Sequence, residues 1–317
     1  MSVANHEASL LTFPGLPGVF DVNAPKLTAG WLGSNLPYSG VMAEAVQSVA
    51  ITSRNSAENL LAISYKGHAG YSKRFGGVDV TIDAVLTDNA AVSGAYGYQL
   101  QDFDNRLTGA LTLITTNSTV GRKVTVTGIY TSSVSFSFNQ NDNSTTSWAF
   151  VGDGILYENY SVALSGGAGN KDYHCVNPLT WDEIHIYDGS NGVVLTGVQT
   201  ATFSANINRS DVFQIGQFEP FDRSVQYPYN VTVAINTLSN EVNLVNWWNK
   251  FVPTYDPMTD CAGGLVIKVR TNSIAGQANA RDFIIASGLR PSTSTLNNGV
   301  GANATVSLNF EGTSLRW

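Results

Sequence analysis

Long stretches of this chain alternate apolar and polar residues with period two. Val306, Leu308 and Phe310 alternate with Thr305, Ser307, Asn309 and Glu311. Val134, Phe136 and Phe138 alternate with Ser133, Ser135 and Ser137. Val231, Val233 and Ile235 alternate with Thr232, Ala234 and Asn236. Successive strand side chains point to opposite faces, so each run presents one apolar and one polar face. Gly, Asn and Pro clusters separate the runs, as turns require. The pattern predicts a mainly β protein of antiparallel sheets, folded as sandwiches or partly open barrels.

One segment departs from period two. Ser239 or Asn240 can cap a helix, Glu241 suits its first turn, and EVNLVNWWNKF follows. Val242, Val245, Trp248 and Phe251 fall at near-helical spacing, with Leu244 and Trp247 beside them, and Pro253 ends the run. A weaker counterpart lies between Ala90 and Asp104, interrupted by Gly94 and Gly97.

The runs recur in order. VNAPKLT from Val22 has a counterpart in VNPLT from Val176. VQSVAITS from Val46 matches VQTATFSA from Val198. Each continues through an arginine, Arg54 or Arg209, to VTIDAVLTDN ending at Asn89 or VTVAINTLSN ending at Asn240. A third block begins at Arg122 and again at Arg281. The offsets are 154, 152 and 159 residues. Blocks in one order at a near-constant offset predict a tandem repeat of one β unit. The expected organisation is an N-terminal arm over 1–21, a first unit over 22–157, a linker and approach over 158–197, and a second unit over 198–317. Each unit is expected to hold at most one helix.

Composition narrows the function. The chain has 317 residues, and 13% are charged, against about 25% in typical domains. Ser, Thr, Asn and Gly take their place, which suits a surface covered by neighbours and equally suits an extracellular sandwich. The net charge is −7, and no basic run of the kind that neutralises phosphates occurs, so tight DNA binding is not expected. Cys175 and Cys261 show no metal spacing and read as free thiols or one disulfide. No basic-then-apolar leader opens the chain, and no apolar run is long enough to span a bilayer, so no membrane partner is expected.

No specific catalytic constellation emerges. Nucleophile elbow, phosphate-binding loop and zinc-protease motifs are missing. GVGANA from Gly299 leads into a strand, not a helix, and reads as a loop. His174, Cys175, Asp182, Glu183 and His185 match no metal-ligand spacing, and on a strand Asp182 and Glu183 would face opposite ways. His6 and His68 stand apart from them. Asp79 and Asp83 share the polar face of a strand, where paired carboxylates would have to lie close to act on a glycoside. Trp247 and Trp248 could stack on sugars, but packing a helix onto its sheet is the simpler role. Neither catalytic, cofactor nor metal residues are assigned, and no enzyme is expected.

The second unit carries a resemblance. IIASGLRPSTSTLNNGVGANATVSLNFEG resembles the end of phage tail tube proteins, in which a strand leads to a GL-x-P turn, a loop and a final alternating strand. NWWNKF is placed like the helix of that fold. The VQTATFSANINRSDVF and YPYNVTVAINTL segments are similar to its earlier paired strands. The resemblance covers about 115 residues, and it reaches the first unit only through the repeat, with GIYTS at Gly128 in place of GLRPS. It implies two tail tube-like domains in a virion structural protein of the tail, assembled in the bacterial cytoplasm. Such domains form rings, their inner sheets joined edge to edge around a DNA channel. The implied partners are other copies of the chain, stacked rings, further tail or capsid proteins, and DNA passing without specific binding. A baseplate hub or capsid decoration protein is the nearest alternative, and a carbohydrate- or receptor-binding sandwich the alternative of another class. Because the units differ at the helix and at the turn before the last strand, a six-chain ring is expected, with the second unit lining the channel and the first outside. A three-chain ring using both units is the other arrangement.

Overall fold

The computed structural model describes residues 8–14, 40–42, 46–54, 56–61, 68–74, 76–86, 110–116, 121–160, 179–189, 192–217, 220–239, 244, 247, 265–271, 281–298 and 303–316. The protein is mainly β, and its largest sheet is antiparallel and open.

In the N-terminal half, β1 (Ala8–Pro14) pairs with β2 (Gly40–Met42) and with β7 (Ala110–Thr116). β8 (Gly121–Thr127) and β11 (Gly154–Tyr160) complete a five-stranded sheet in the order β11-β8-β7-β1-β2. A second set runs β3-β6-β10-β9, from β3 (Val46–Ser53), β6 (Val78–Val85), β10 (Thr145–Gly152) and β9 (Tyr130–Asn139). Between β3 and β6 the chain makes a hairpin of β4 (Ser56–Leu61) and β5 (His68–Arg74).

The C-terminal half repeats these pairings. β12 (Ile184–Asp188) pairs with β13 (Val194–Leu195) and with β18 (Leu265–Thr271), as β1 pairs with β2 and β7. β14 (Val198–Asn206), β17 (Asn230–Leu238), β20 (Thr305–Gly312) and the later part of β19 (Arg281–Asn297) follow one another as β3, β6, β10 and β9 do. β15 (Arg209–Val212) and β16 (Asp222–Val225) form the inserted hairpin, and β21 (Ser314–Arg316) pairs with β19 as β11 pairs with β8. Irregularities recur too. Gln47 is bulged out of the β3·β6 ladder and Gln199 out of β14·β17. Ser132 is skipped where β9 meets β10, and Ser292 where β19 meets β20.

The two four-stranded sets are not separate. β9 pairs with β14 from Asn139↔Thr200 to Ser133↔Asn206, making one continuous run of eight strands. The stretch 158–197, expected as a linker, carries β12 and β13. These strands are short and lack sustained alternation, so the pattern did not mark them.

A glycine corner carries each half from one set of strands to the other. Gly128 separates β8 from β9 with φ 63°, and Gly288 bends β19 with φ 65°. These are left-handed conformations that a side chain disfavours. A Cβ on Gly288 would also collide with Thr313 Oγ1. Gly288→Ala is therefore expected to lower stability by about 1–3 kcal/mol, read as a reduced urea midpoint. Nearby, Asp153 N donates to Thr127 O at 2.8 Å and Thr313 N to Ser287 O at 3.2 Å, closing the same corner in both halves.

The apolar faces of the eight strands make the core. Val80, Ile82, Val134, Phe136, Phe150, Phe203, Val233, Ile235, Leu308 and Phe310 are buried on it. Ile267, Val269, Ile284 and Ala286 of β18 and β19 are buried as well. Phe138 meets Phe203 and Phe283 edge-on, each at 6.0 Å, so it ties β14 to the outer part of β19. Burying each such side chain contributes about 1.5–3 kcal/mol. Leu244 and Trp247 have helical backbone and are buried, with Trp247 edge-on to Phe310 at 6.5 Å. Val242, Val245, Trp248 and Phe251, and the segment Ala90–Asp104, lie outside the described residues.

Candidate assembly surface

Period two leaves the opposite face of the eight strands to hydroxyls and amides. Ser133, Ser135, Ser137, Thr202, Ser204, Thr232, Asn236, Ser307, Asn309, Thr293 and Thr295 lie on it, by their place in the ladders. Side chains bond across strands. Ser48 and Ser147 donate to the two Asp83 oxygens at 2.6 and 2.7 Å. At the matching place in the second half, Asn236 donates to Thr200 Oγ1 at 2.9 Å and Ser307 donates to Asn236 Oδ1 at 2.5 Å. Asp83 and Asn236 are thus the same bridging residue in charged and neutral form. The Ser48 and Ser147 hydroxyls hold the Asp83 carboxyl below its ordinary range, against the opposing effect of burial. Charges on this face are few. Asp79 is bound by Arg54 at 2.7 Å, and Glu311 stands opposite Arg290.

Among the described residues, the eight-stranded run has two ladder positions with no neighbour. β3 ends it on one side. Beyond Arg290, β19 pairs with β20 alone among them. Burial records the difference. Phe136 of β9 is 2% exposed, whereas Leu296, at the matching place in β19, is 58% exposed. Phe203 of β14 is fully buried, whereas Ile51, at the matching place in β3, is half-buried.

The internal β9·β14 junction carries a clasp. The β15–β16 hairpin of the second half lies over the β9 and β10–β11 corner of the first. Arg223 pairs with Asp153 at 3.1 Å, both side chains being at most 5% exposed. The same guanidinium donates to the Gly152 carbonyl at 3.2 Å and pairs with Asp211 at 3.0 Å. Arg209 sits 4.9 Å over the Tyr130 ring and donates to Thr131 O at 3.1 Å. Beyond these contacts the hairpin exposes Val212, Phe213, Ile215 and Phe221. Exposed apolar residues gathered at one tip mark a contact surface.

A second polar cluster lies on the outer strands. Tyr187 Oη donates to Asp282, which also accepts from Arg270 Nε at 2.8 Å and Lys268 Nζ at 3.1 Å. Burial, and then the bond to Asp282, push the Tyr187 hydroxyl up to about 12. Burial alone would raise the Asp282 carboxyl, but its hydrogen bonds from Tyr187, Arg270 and Lys268 outweigh that and hold it low. Each group has its partner, so the cluster ties β12, β18 and β19 together.

The residues weighed from sequence fall apart in space or into structural roles. Asp182 and Glu183 are not on a strand but in a single 3-10 turn, Trp181–Glu183. There the Glu183 carboxylate accepts from Thr180 N at 3.2 Å, a capping role. His185 is on β12. Among the described residues no three of His, Cys, Asp and Glu gather as a metal would need. Asp79 and Asp83 share the polar face as expected, but they lie four steps apart along the strand, about 13 Å, too far for the paired carboxylates of a glycosidase. Trp247 packs into the core, away from any sugar. His6, His174, Cys175, Cys261 and Gly299 lie outside the described residues, as does the side chain of His68. Arg54 and Arg209, aligned by the sequence repeat, differ in use: one holds Asp79 at an edge and the other stacks on Tyr130. Arg223, Asp153 and Tyr130 escaped sequence reasoning, because nothing local marks residues that meet from opposite halves of the chain.

No protein-family model matches the chain, and no curated protein matches it. Among the described residues no helix is long and apolar enough to cross a membrane.

Proposed function

We propose that this chain is a structural subunit of a phage tail tube, built from two tandem copies of one tail tube-like unit. The observation that carries this reading is the β9·β14 junction, where two four-stranded sets of one strand order join edge to edge into a single sheet. A unit that joins its own repeat in this way has the property a ring subunit needs. The polar face suits a conduit. It is rich in neutral hydroxyls and amides, its few charges are largely offset, and the chain is acidic overall, at −7. DNA phosphates would find little to hold them there. The apolar hairpin tip suits contact between stacked rings.

The joined sheet also bears on the ring. Sequence divergence favoured six chains, with the first unit outside. An eight-stranded sheet with both units in line supports three chains instead, supplying six four-stranded sets around a pseudo-sixfold axis. The location that follows is the virion tail, after assembly in the bacterial cytoplasm.

Negative-stain electron microscopy of the purified chain tests the function. Rings or stacked tubes with a central channel are expected, and dispersed single chains at every concentration would overturn it. Fluorescence anisotropy with a short DNA duplex at physiological salt is expected to show weak, sequence-independent binding. Tight binding would be incompatible with an inert channel.

A further inference from the structure

We infer that the two open ends of the eight-stranded sheet, β3 and residues 291–297 of β19, pair with each other between chains, in the register that sets Leu296 of one chain opposite Ile51 of the next. The partner is a second copy of this chain. The inference rests on the proposed function only in taking these edges to meet during assembly. The register itself comes from the internal junction.

Within the chain, β9 offers its edge to β14. β19 beyond Gly288 is the counterpart of β9, and β3 is the counterpart of β14, down to the bulged Gln47 and Gln199 and the skipped Ser132 and Ser292. Backbone geometry at the two open edges therefore matches a pair already formed inside the molecule. The internal register sets Phe136 opposite Phe203 and Ser135 opposite Ser204. Carried to the open edges, it sets Leu296 opposite Ile51 and Thr295 opposite Thr52. The apolar pair falls on the apolar face and the hydroxyl pair on the polar face. The same register sets Ser294 opposite Ser53 and Asn298 opposite Val49, where the internal junction has Val134 opposite Ala205 and Phe138 opposite Ala201. Ser294, Ser53 and Asn298 are neutral polar residues, so no charged side chain is brought onto the apolar face. Leu296 and Ile51 are also the positions left exposed or half-exposed where Phe136 and Phe203 are covered. Open edges of this kind attract further strands. A head-to-tail contact of unlike edges propagates and closes when its rotation permits.

The seam between chains thus has a less apolar buried face than the internal one, and it differs in its clasp as well. The clasp residues Arg209, Arg223, Tyr130 and Asp153 have Ser56, Ser72, Arg290 and Thr313 at the matching ladder positions. The guanidinium–carboxylate and arginine–tyrosine contacts cannot form there. The seam between chains is a ladder without a clasp, and it opens before the internal junction does.

The test is a cross-link in the full chain with Cys175→Ser and Cys261→Ser. Directly opposed residues bring Cβ atoms to about 4.5–5.5 Å, within about 1 Å of a disulfide's usual span of about 3.5–4.5 Å and reachable by a small shift of the strands, whereas diagonal ones sit about 7–8 Å apart and are not. Ile51→Cys with Leu296→Cys is expected to give reducible, covalently linked multimers on oxidation. Val49→Cys with Leu296→Cys is expected to remain unlinked. Hydrogen exchange on the unaltered chain gives an independent reading, because amides in 48–53 and 293–297 should gain protection on assembly. Mild urea is expected to release folded single chains whose β9 and β14 amides stay protected. Rings that form without the Ile51–Leu296 link and without that protection would overturn the inference while leaving the tube reading in place. Linked chains that never close into rings would support the inference and count against the tube. Loss of β9·β14 protection together with ring dissociation would overturn the weaker-seam claim.

Discussion

Replacing Trp247 by alanine is expected to lower stability by about 3–5 kcal/mol, the usual cost of truncating a buried aromatic. The indole is fully buried and meets Phe310 edge-on. Phe310 lies on β20, between β17 and β19, so the lost contact sits over the middle of the second four-stranded set. Two terms add in this cost. One is the transfer free energy of the ring, and the other is the cavity left because a sheet between two neighbours cannot collapse inward. Trp247→Phe keeps most of the apolar volume and should cost distinctly less. Urea denaturation of the two variants gives the comparison. A change near zero for Trp247→Ala would mean that the residue does not support the core.

Arg223→Met is expected to cost about 3–5 kcal/mol, by a different mechanism. The Asp153 carboxylate would remain, 5% exposed, without the guanidinium that now compensates it. Breaking one side of a buried ion pair carries that penalty, whereas replacing both sides with apolar groups is often neutral. The double variant Arg223→Met, Asp153→Leu should therefore recover most of the loss. A loss equal to or larger than that of the single variant would show that the arginine acts through Asp211 and Gly152 instead. Thermal or urea unfolding of the single and double variants distinguishes these outcomes.

Much of the fold was legible because alternation is a direct imprint of a half-buried strand. Val306 to Phe310 and Val231 to Ile235 alternate in sequence, and their apolar members are buried in the sheet. Repeat blocks at Val46 and Val198 located β3 and β14, the strands on which the joined sheet turns. What alternation cannot carry is which strand lies beside which. Nothing in Ser133 to Asn139 states that its neighbour is β14, because a polar–apolar pattern fits any partner of the same period. The clasp was hidden for the same reason. Arg223 and Asp153 lie 70 residues apart, and the ion pair exists only once the halves are in line. Short strands such as β13 leave no pattern at all. Of the stretch whose spacing suggested a helix, only Leu244 and Trp247 fall among the described residues, both with helical backbone and buried side chains.

The β9·β14 junction has a kinetic consequence. Two strand sets on one chain meet at an effective concentration fixed by the connection between them, typically millimolar for a short flexible link. That encounter is unimolecular and independent of how much protein the cell has made. Covalent linkage thereby removes one bimolecular step for every two sets incorporated into a larger array. It lowers the reaction order of any growing assembly, and with it the concentration at which growth begins. It also fixes the stoichiometry of the two edge types at one to one, so a growing array cannot stall for want of either.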